Sequence, residues 1–143
     1  MGIYQYDWEP FEVTTDDGYI LTVMHVTNKK DKASTVDSSL NPLLMVPAMG
    51  SSPDGWLSAF IYNDPPDNAM PLKLFDAGHD LWLVYSRGQE YSQKHEYYSV
   101  YQKEFWDFSW SDMGSQDLKT TIDFIHQRTG QKVAMMGYSM GTT

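Results

Sequence analysis

Three short apolar runs constrain this chain more than anything else in it. They are Leu43-Leu44-Met45-Val46, Leu81-Trp82-Leu83-Val84-Tyr85 and Val133-Ala134-Met135-Met136. A continuous apolar run of about four to eight residues is the pattern of a strand covered on both faces. Helical patterns separate the runs. Met113, Leu118, Thr121, Ile122 and Ile125 share a face at three-to-four spacing, which predicts a helix over 112–128. Ser109 and Asp112 have capping-box spacing ahead of it, and Gly130 is its natural stop. Between the first two runs, Pro71 can open a short helix at its first position. Leu72, Leu74 and Phe75 then face inward, and Gly78 ends the helix. Strand, helix, strand, helix, strand implies a mostly parallel sheet with right-handed crossovers.

An antiparallel element precedes this unit. Residues 11–15 and 19–26 are rich in β-formers, and Asp16-Asp17-Gly18 lies between them. Asp-Gly supplies the positive φ that a tight turn requires, so these residues predict a hairpin. Residues 28–42 are polar and predict an exposed loop. A Gly/Ser/Pro/Asp loop follows from Gly50 to Gly55, and Pro65-Pro66 breaks any long helix within 56–70. Residues 89–108 are polar and aromatic and predict irregular structure with short turns. The expected fold class is α/β: one domain over 1–143, a mostly parallel sheet preceded by an antiparallel hairpin.

Composition removes whole classes of function. The 143 residues hold 10 Lys+Arg against 19 Asp+Glu, a formal net charge of −9. Such a chain repels phosphate backbones, which argues against nucleic acid as a partner. Cysteine is absent, which excludes disulfides, thiolate-bound zinc, iron–sulfur clusters and thiol catalysis. No His-x-x-x-His or EF-hand spacing offers a metal site. No apolar run approaches the ~18 residues that cross a bilayer. The first residues carry neither a basic region nor an apolar core, so no signal peptide is visible and the compartment stays open.

The motif that carries chemistry is Gly137-Tyr138-Ser139-Met140-Gly141, a G-x-S-x-G pattern directly after the third apolar run. Strand, motif, helix is the setting of a nucleophile elbow. A sharp turn there lifts the Ser139 Oγ clear of the backbone. Side chains two residues before and after would collide across the turn, so Gly137 and Gly141 are required. The helix that follows an elbow aims its dipole at a developing oxyanion, and the Met140 N–H is one oxyanion donor.

Six blocks in order carry a resemblance. They are Phe11–Leu21 (FEVTTDDGYIL), Ala77–Gly88 (AGHDLWLVYSRG), Tyr91–His95 (YSQKH), Glu104–Trp110 (EFWDFSW), Asp117–Ile125 (DLKTTIDFI) and Gly137–Thr142 (GYSMGT). The chain resembles the N-terminal part of the acid lipases, the gastric and lysosomal type of α/β-hydrolase. The resemblance implies the N-terminal half of that fold, truncated just after the elbow. It also implies hydrolysis of lipid esters such as triacylglycerols or sterol esters through an acyl-serine on Ser139. It implies no metal or organic cofactor, and a family often secreted or lysosomal.

Two departures stand out. The family usually carries His-Gly-Leu after the strand matching 43–46, with the Leu N–H completing the oxyanion hole. Here Pro47-Ala48-Met49-Gly50 follows, and Met49 best matches the donor. The larger departure is that this fold orders its triad as Ser, acid, His, and only four residues follow Ser139. A serine without its base is a poor nucleophile, so the 143 residues alone are expected to be inactive. None of His25, His79, His95 and His126 is placed by the pattern at a strand's carboxyl end beside an orienting acid. Arg87, in the Ser-Arg-Gly block, is expected to pair with a carboxylate or with loop carbonyls. The aromatic and Met residues are expected mainly in the core and as loop anchors. The competing reading is a non-catalytic α/β module whose open edge strand pairs with another chain, either a second copy or a different protein.

Overall fold

The computed structural model describes residues 6–29, 36–46 and 70–137. The predicted hairpin is present and longer than its β-rich core. Strands β1 (Tyr6–Thr14) and β2 (Tyr19–Lys29) pair antiparallel, with a register shift between Asp7 and Trp8. Gly18, at φ +94°, closes the turn and donates its N–H to the Thr15 carbonyl at 3.0 Å. Thr15 thus belongs to the turn, and its Oγ1 accepts the Tyr19 N–H at 2.9 Å. Strand β2 also takes in residues 28–29, which the polar pattern assigned to a loop.

Strands β3 (Leu43–Val46) and β4 (Leu81–Tyr85) fall where the apolar runs placed them. Helix α1 (Met70–Asp76) lies between them, one residue ahead of the predicted Pro71 start. Gly78 at φ +104° follows its end. A two-residue strand β5 (Lys94–His95) pairs with the start of β2, and a 3₁₀ turn covers Lys103–Trp106. The long helical stretch begins with α2 (Trp110–Asp112), passes through a π-helical turn (Met113–Leu118) and continues as α3 (Lys119–Thr129). The capping box is made: the Asp112 carboxylate accepts the Ser109 N–H at 2.8 Å. Gly130, left-handed at φ +71°, caps α3. Strand β6 (Ala134–Gly137) closes the described chain.

The sheet runs β1-β2-β4-β3-β6, with β5 on β2. Pairs β3–β4 and β3–β6 are parallel, and the hairpin enters through the antiparallel pair β2–β4. The α/β expectation of a parallel core behind an antiparallel hairpin therefore holds. The continuous apolar runs are explained by cover on both faces. Leu43, Met45, Leu81 and Leu83 pack with Leu72 and Phe75 of α1. Leu44, Val46, Trp82 and Val84 point the other way and pack with Ile125 of α3 and with Phe105.

Strand β6 is the open edge expected of these 143 residues. Its composition reads as a buried strand, yet Ala134 and Met135 are exposed. Among the described residues β6 pairs only with β3, so it forms an edge of the sheet. No helix among the described residues is long and apolar enough to cross a membrane.

Candidate active site

Residue register decides where the chemistry can lie. Val46 of β3 is opposite Gly137 of β6 across a parallel pair. Both are last residues of their strands, so the chain leaves the sheet at two adjacent points on one edge. Open α/β sheets place ligands outside the carboxyl ends of their strands. Of the predicted site residues, Gly137 is the one the structure describes, and it ends β6 at this edge. Ser139, Met140, Gly141 and Met49 lie outside the described residues.

The same edge holds a buried ionic cluster. Arg87, two residues beyond β4, is 2% exposed. Its Nε donates to Asp117 Oδ1 at 2.8 Å, and its NH2 lies 2.7 Å from the same oxygen. Its backbone N–H donates to Asp117 Oδ2 at 2.9 Å. Its NH1 and NH2 reach Asp17 in the hairpin turn at 2.7 and 3.0 Å. The guanidinium lies 3.9 Å from the centre of the Tyr19 ring. One side chain thus joins the exit of β4, the hairpin turn and the π-helical turn. The expected carboxylate partner is present twice over.

The two carboxylates respond differently. Partial burial pushes Asp17 up, but hydrogen bonds from Arg87 and Thr15 more than offset this and hold it below its ordinary 3.8. Asp117 is fully buried, and desolvation outweighs the Arg87 hydrogen bonds, so its pKa is raised. Sequence reasoning named Arg87 and missed both partners. A signal for Asp117 was available. It precedes Thr121 and Ile125 at successive four-residue steps, which puts an acid on the buried face of the helix. An acid there demands a cation.

The histidines do not supply a base. His25 does have an acidic neighbour: its Nε2 is 2.6 Å from Asp80 Oδ1, and its ring stacks on Trp82 at 3.8 Å. Its Nδ1 is buried and meets no partner among the described residues. Yet His25 pairs in register with Trp82 near the start of β4. Three strand spacings, roughly 14 Å of sheet, separate it from β6. His126 is exposed and contacts the Gln131 carbonyl, and the His95 Nε2 contacts the Asp17 carbonyl. His79 follows α1, before β4 begins. Among the described residues no group of three or more His, Cys, Asp or Glu is arranged to hold a metal ion.

Known proteins match this arrangement. A family profile described as a partial alpha/beta-hydrolase lipase region matches residues 1–59. The chain is 41% identical to the gastric triacylglycerol lipase of Bos taurus, a match that covers all of this chain and 35% of that protein. It is 40% identical to lipase member M of Homo sapiens, covering 96% of this chain and 31% of that protein. The chain spans about a third of the length of these curated relatives. Its fold is similar to that of an esterase from Pyrococcus furiosus, with a TM-score of 0.56 at 18% identity, over 95% of this chain and 44% of that one. Residues 1–59 thus match a partial lipase region of the α/β-hydrolases, and nearly the whole chain is similar to about a third of each of these lipases.

Proposed function

We propose that the full-length protein hydrolyses carboxylic esters of lipids, triacylglycerols or sterol esters, through an acyl intermediate on Ser139. The observation that carries this reading is the register pair Val46–Gly137 at the carboxyl edge of the parallel strands. Ser139 is two residues past Gly137 and Met49 three past Val46 in the sequence. Adjacent strands are only about 4.8 Å apart. Segments 47–50 and 138–141 thus leave the sheet from neighbouring points, which supports a site that draws on both.

In this mechanism the Ser139 Oγ attacks the ester carbonyl while a general base takes its proton. The Met140 and Met49 N–H groups hold the oxyanion that develops. Collapse expels the alcohol, which leaves with that proton, and water then releases the fatty acid from the serine. Gly137 and Gly141 let the chain turn sharply enough to present the hydroxyl. Four residues follow Ser139 in these 143, and none is acidic or basic. We take residues 1–143 as a single incomplete hydrolase domain that lacks, by itself, the base the first step needs.

The test is hydrolysis of a triacylglycerol emulsion and of a sterol ester by the full-length protein. Activity abolished by Ser139→Ala, with none from residues 1–143 alone, is the expected outcome. Turnover by residues 1–143, or by the Ser139→Ala protein, refutes the mechanism. A second reading draws on the exposed edge of β6: a non-catalytic module that completes its sheet by pairing with another chain, a second copy or a different protein. Sedimentation of residues 1–143 as a folded dimer without esterase activity favours self-pairing. A folded monomer that becomes stable only with a foreign partner favours the other form.

A further inference from the structure

The contacts of His95 fix its tautomer by geometry alone. His95 ends β5 and stands opposite Tyr19 at the start of β2. Its Nδ1 accepts two backbone N–H groups, from Tyr97 at 3.0 Å and from Tyr98 at 3.3 Å. A backbone N–H can only donate, so Nδ1 must present a lone pair. Its Nε2 lies 2.9 Å from the Asp17 carbonyl oxygen. A carbonyl can only accept, so Nε2 must carry the hydrogen. All three bonds are made together only by the neutral ring with its hydrogen on Nε2.

A second proton changes one side of the ring and not the other. The Nε2 hydrogen still donates to Asp17. Nδ1 gains a hydrogen that points at two N–H donors, so both of those bonds are lost. The ring itself stays packed. Its centre lies 4.6 Å from that of Tyr19, edge to face, and 4.7 Å from that of Tyr98. Gly18 makes the approach possible, since a Cβ there would sit 2.9 Å from the ring. The Glu96 N–H donates to the Gly18 carbonyl at 2.9 Å and ties β5 to the turn in either state. The charged and titratable groups about the ring come from both elements packed on it. From the hairpin these are Asp17, whose carboxylate is engaged by Arg87 and Thr15, and Tyr19, which carries the Arg87 guanidinium on its face at 3.9 Å. From the connection they are Glu96, Tyr97 and Tyr98, with Glu96 Oε2 reaching 3.5 Å from the same Gly18 Cβ position. Two nearby carboxylates accommodate an added positive charge, so the ring can take the proton where it stands.

We propose that His95 is a proton-operated latch between the hairpin turn and the chain that follows β5. The neutral ring ties residues 97–98 to the turn. The protonated ring keeps its hold on Asp17 and lets residues 97–98 go. Histidine is the side chain whose charge ordinarily changes between roughly pH 5 and 8, which sets the range over which the latch is to be sought. The inference goes beyond the ester-hydrolase reading and stands or falls independently of it.

The experiment is amide hydrogen exchange at Tyr97 and Tyr98 in the full-length protein at about pH 7.5 and about pH 5, each rate divided by the intrinsic chemical rate at that pH. Protection of the wild type should fall at least about fivefold at the lower pH, the net strength of one ordinary hydrogen bond. In His95→Asn the side-chain oxygen can accept the same N–H groups as an Asx turn and does not titrate, so protection should persist and be equal at both pH values. Isotopic labelling of the histidine nitrogens reads the ring directly by magnetic resonance, without any substitution. At the higher pH the His95 Nδ1 should be bare and Nε2 should carry the hydrogen; at the lower pH both should carry one. Wild-type protection that does not change between the two pH values overturns the proposal. So does a fall of the same size in His95→Asn, or a hydrogen on Nδ1 at the higher pH.

Discussion

Replacing Asp117 by Asn tests how the carboxyl edge is held. Asp117 is completely buried and takes three contacts from Arg87: the backbone N–H, Nε and NH2. Asn keeps the shape but removes the charge and puts an NH2 donor where an acceptor was. At least one Arg87 donor then faces a donor, and the guanidinium keeps only Asp17 as counter-charge. Removing one partner of a buried ion pair costs about 3–5 kcal/mol. The backbone hydrogen bond can survive, so the lower end, about 3 kcal/mol, is expected. Asp17 makes equally short contacts to the same guanidinium, but its side chain is 37% exposed. Water screens that pair, and Asp17→Asn should cost only about 0.5–1 kcal/mol. Equilibrium urea unfolding of the full-length variants, followed by tryptophan fluorescence and circular dichroism, measures both. Equal losses, or a loss under about 1 kcal/mol for Asp117→Asn, would refute the reasoning that burial sets the strength of this cluster.

Further predictions concern pH, turns and core. Asp17 is held below its ordinary 3.8, so its stabilisation is complete above that value and is lost as pH falls through the lower folded value. The stability gap between wild type and Asp17→Asn should accordingly be constant above pH ~5 and narrow as pH falls below 3.8; a gap that widens on acidification contradicts the sign. Gly18→Ala must place a side chain at φ +94° with its Cβ 2.9 Å from the His95 ring, whereas Gly130→Ala at φ +71° meets nothing within 4 Å. The second should cost about 1 kcal/mol and the first clearly more, as read from urea midpoints. Ile125→Ala empties a fully buried position between α3 and the sheet and should cost about 2–5 kcal/mol, against roughly 1 for the half-buried Ile122.

Much of the fold was legible because its signals are local. The Asp-Gly turn, Pro71 near the start of α1, Gly78 and Gly130 at helix ends and the Ser109–Asp112 box each act over a few residues, and each marks its boundary to within about one residue. Strands β3 and β4 were legible because burial on both faces leaves an unbroken apolar run. Long-range pairing was harder to read. Arg87 finds Asp17 seventy residues away, and no periodicity records that distance. The π-helical turn that inserts Asp117 between Arg87 and the core breaks the simple 3.6-residue pattern. Of the elbow motif, Gly137 ends a parallel strand at the carboxyl edge, and residues 138–141 lie outside the described residues.

The most direct test is chemical labelling of the nucleophile. The full-length protein is treated with a fluorophosphonate that carries a mass tag, digested and sequenced by mass spectrometry. A single stoichiometric adduct on Ser139, abolished in Ser139→Ala and suppressed by prior incubation with a lipid ester, is the expected result. Labelling of another residue, or of the Ser139→Ala protein to the same extent, contradicts the assignment of Ser139 as nucleophile.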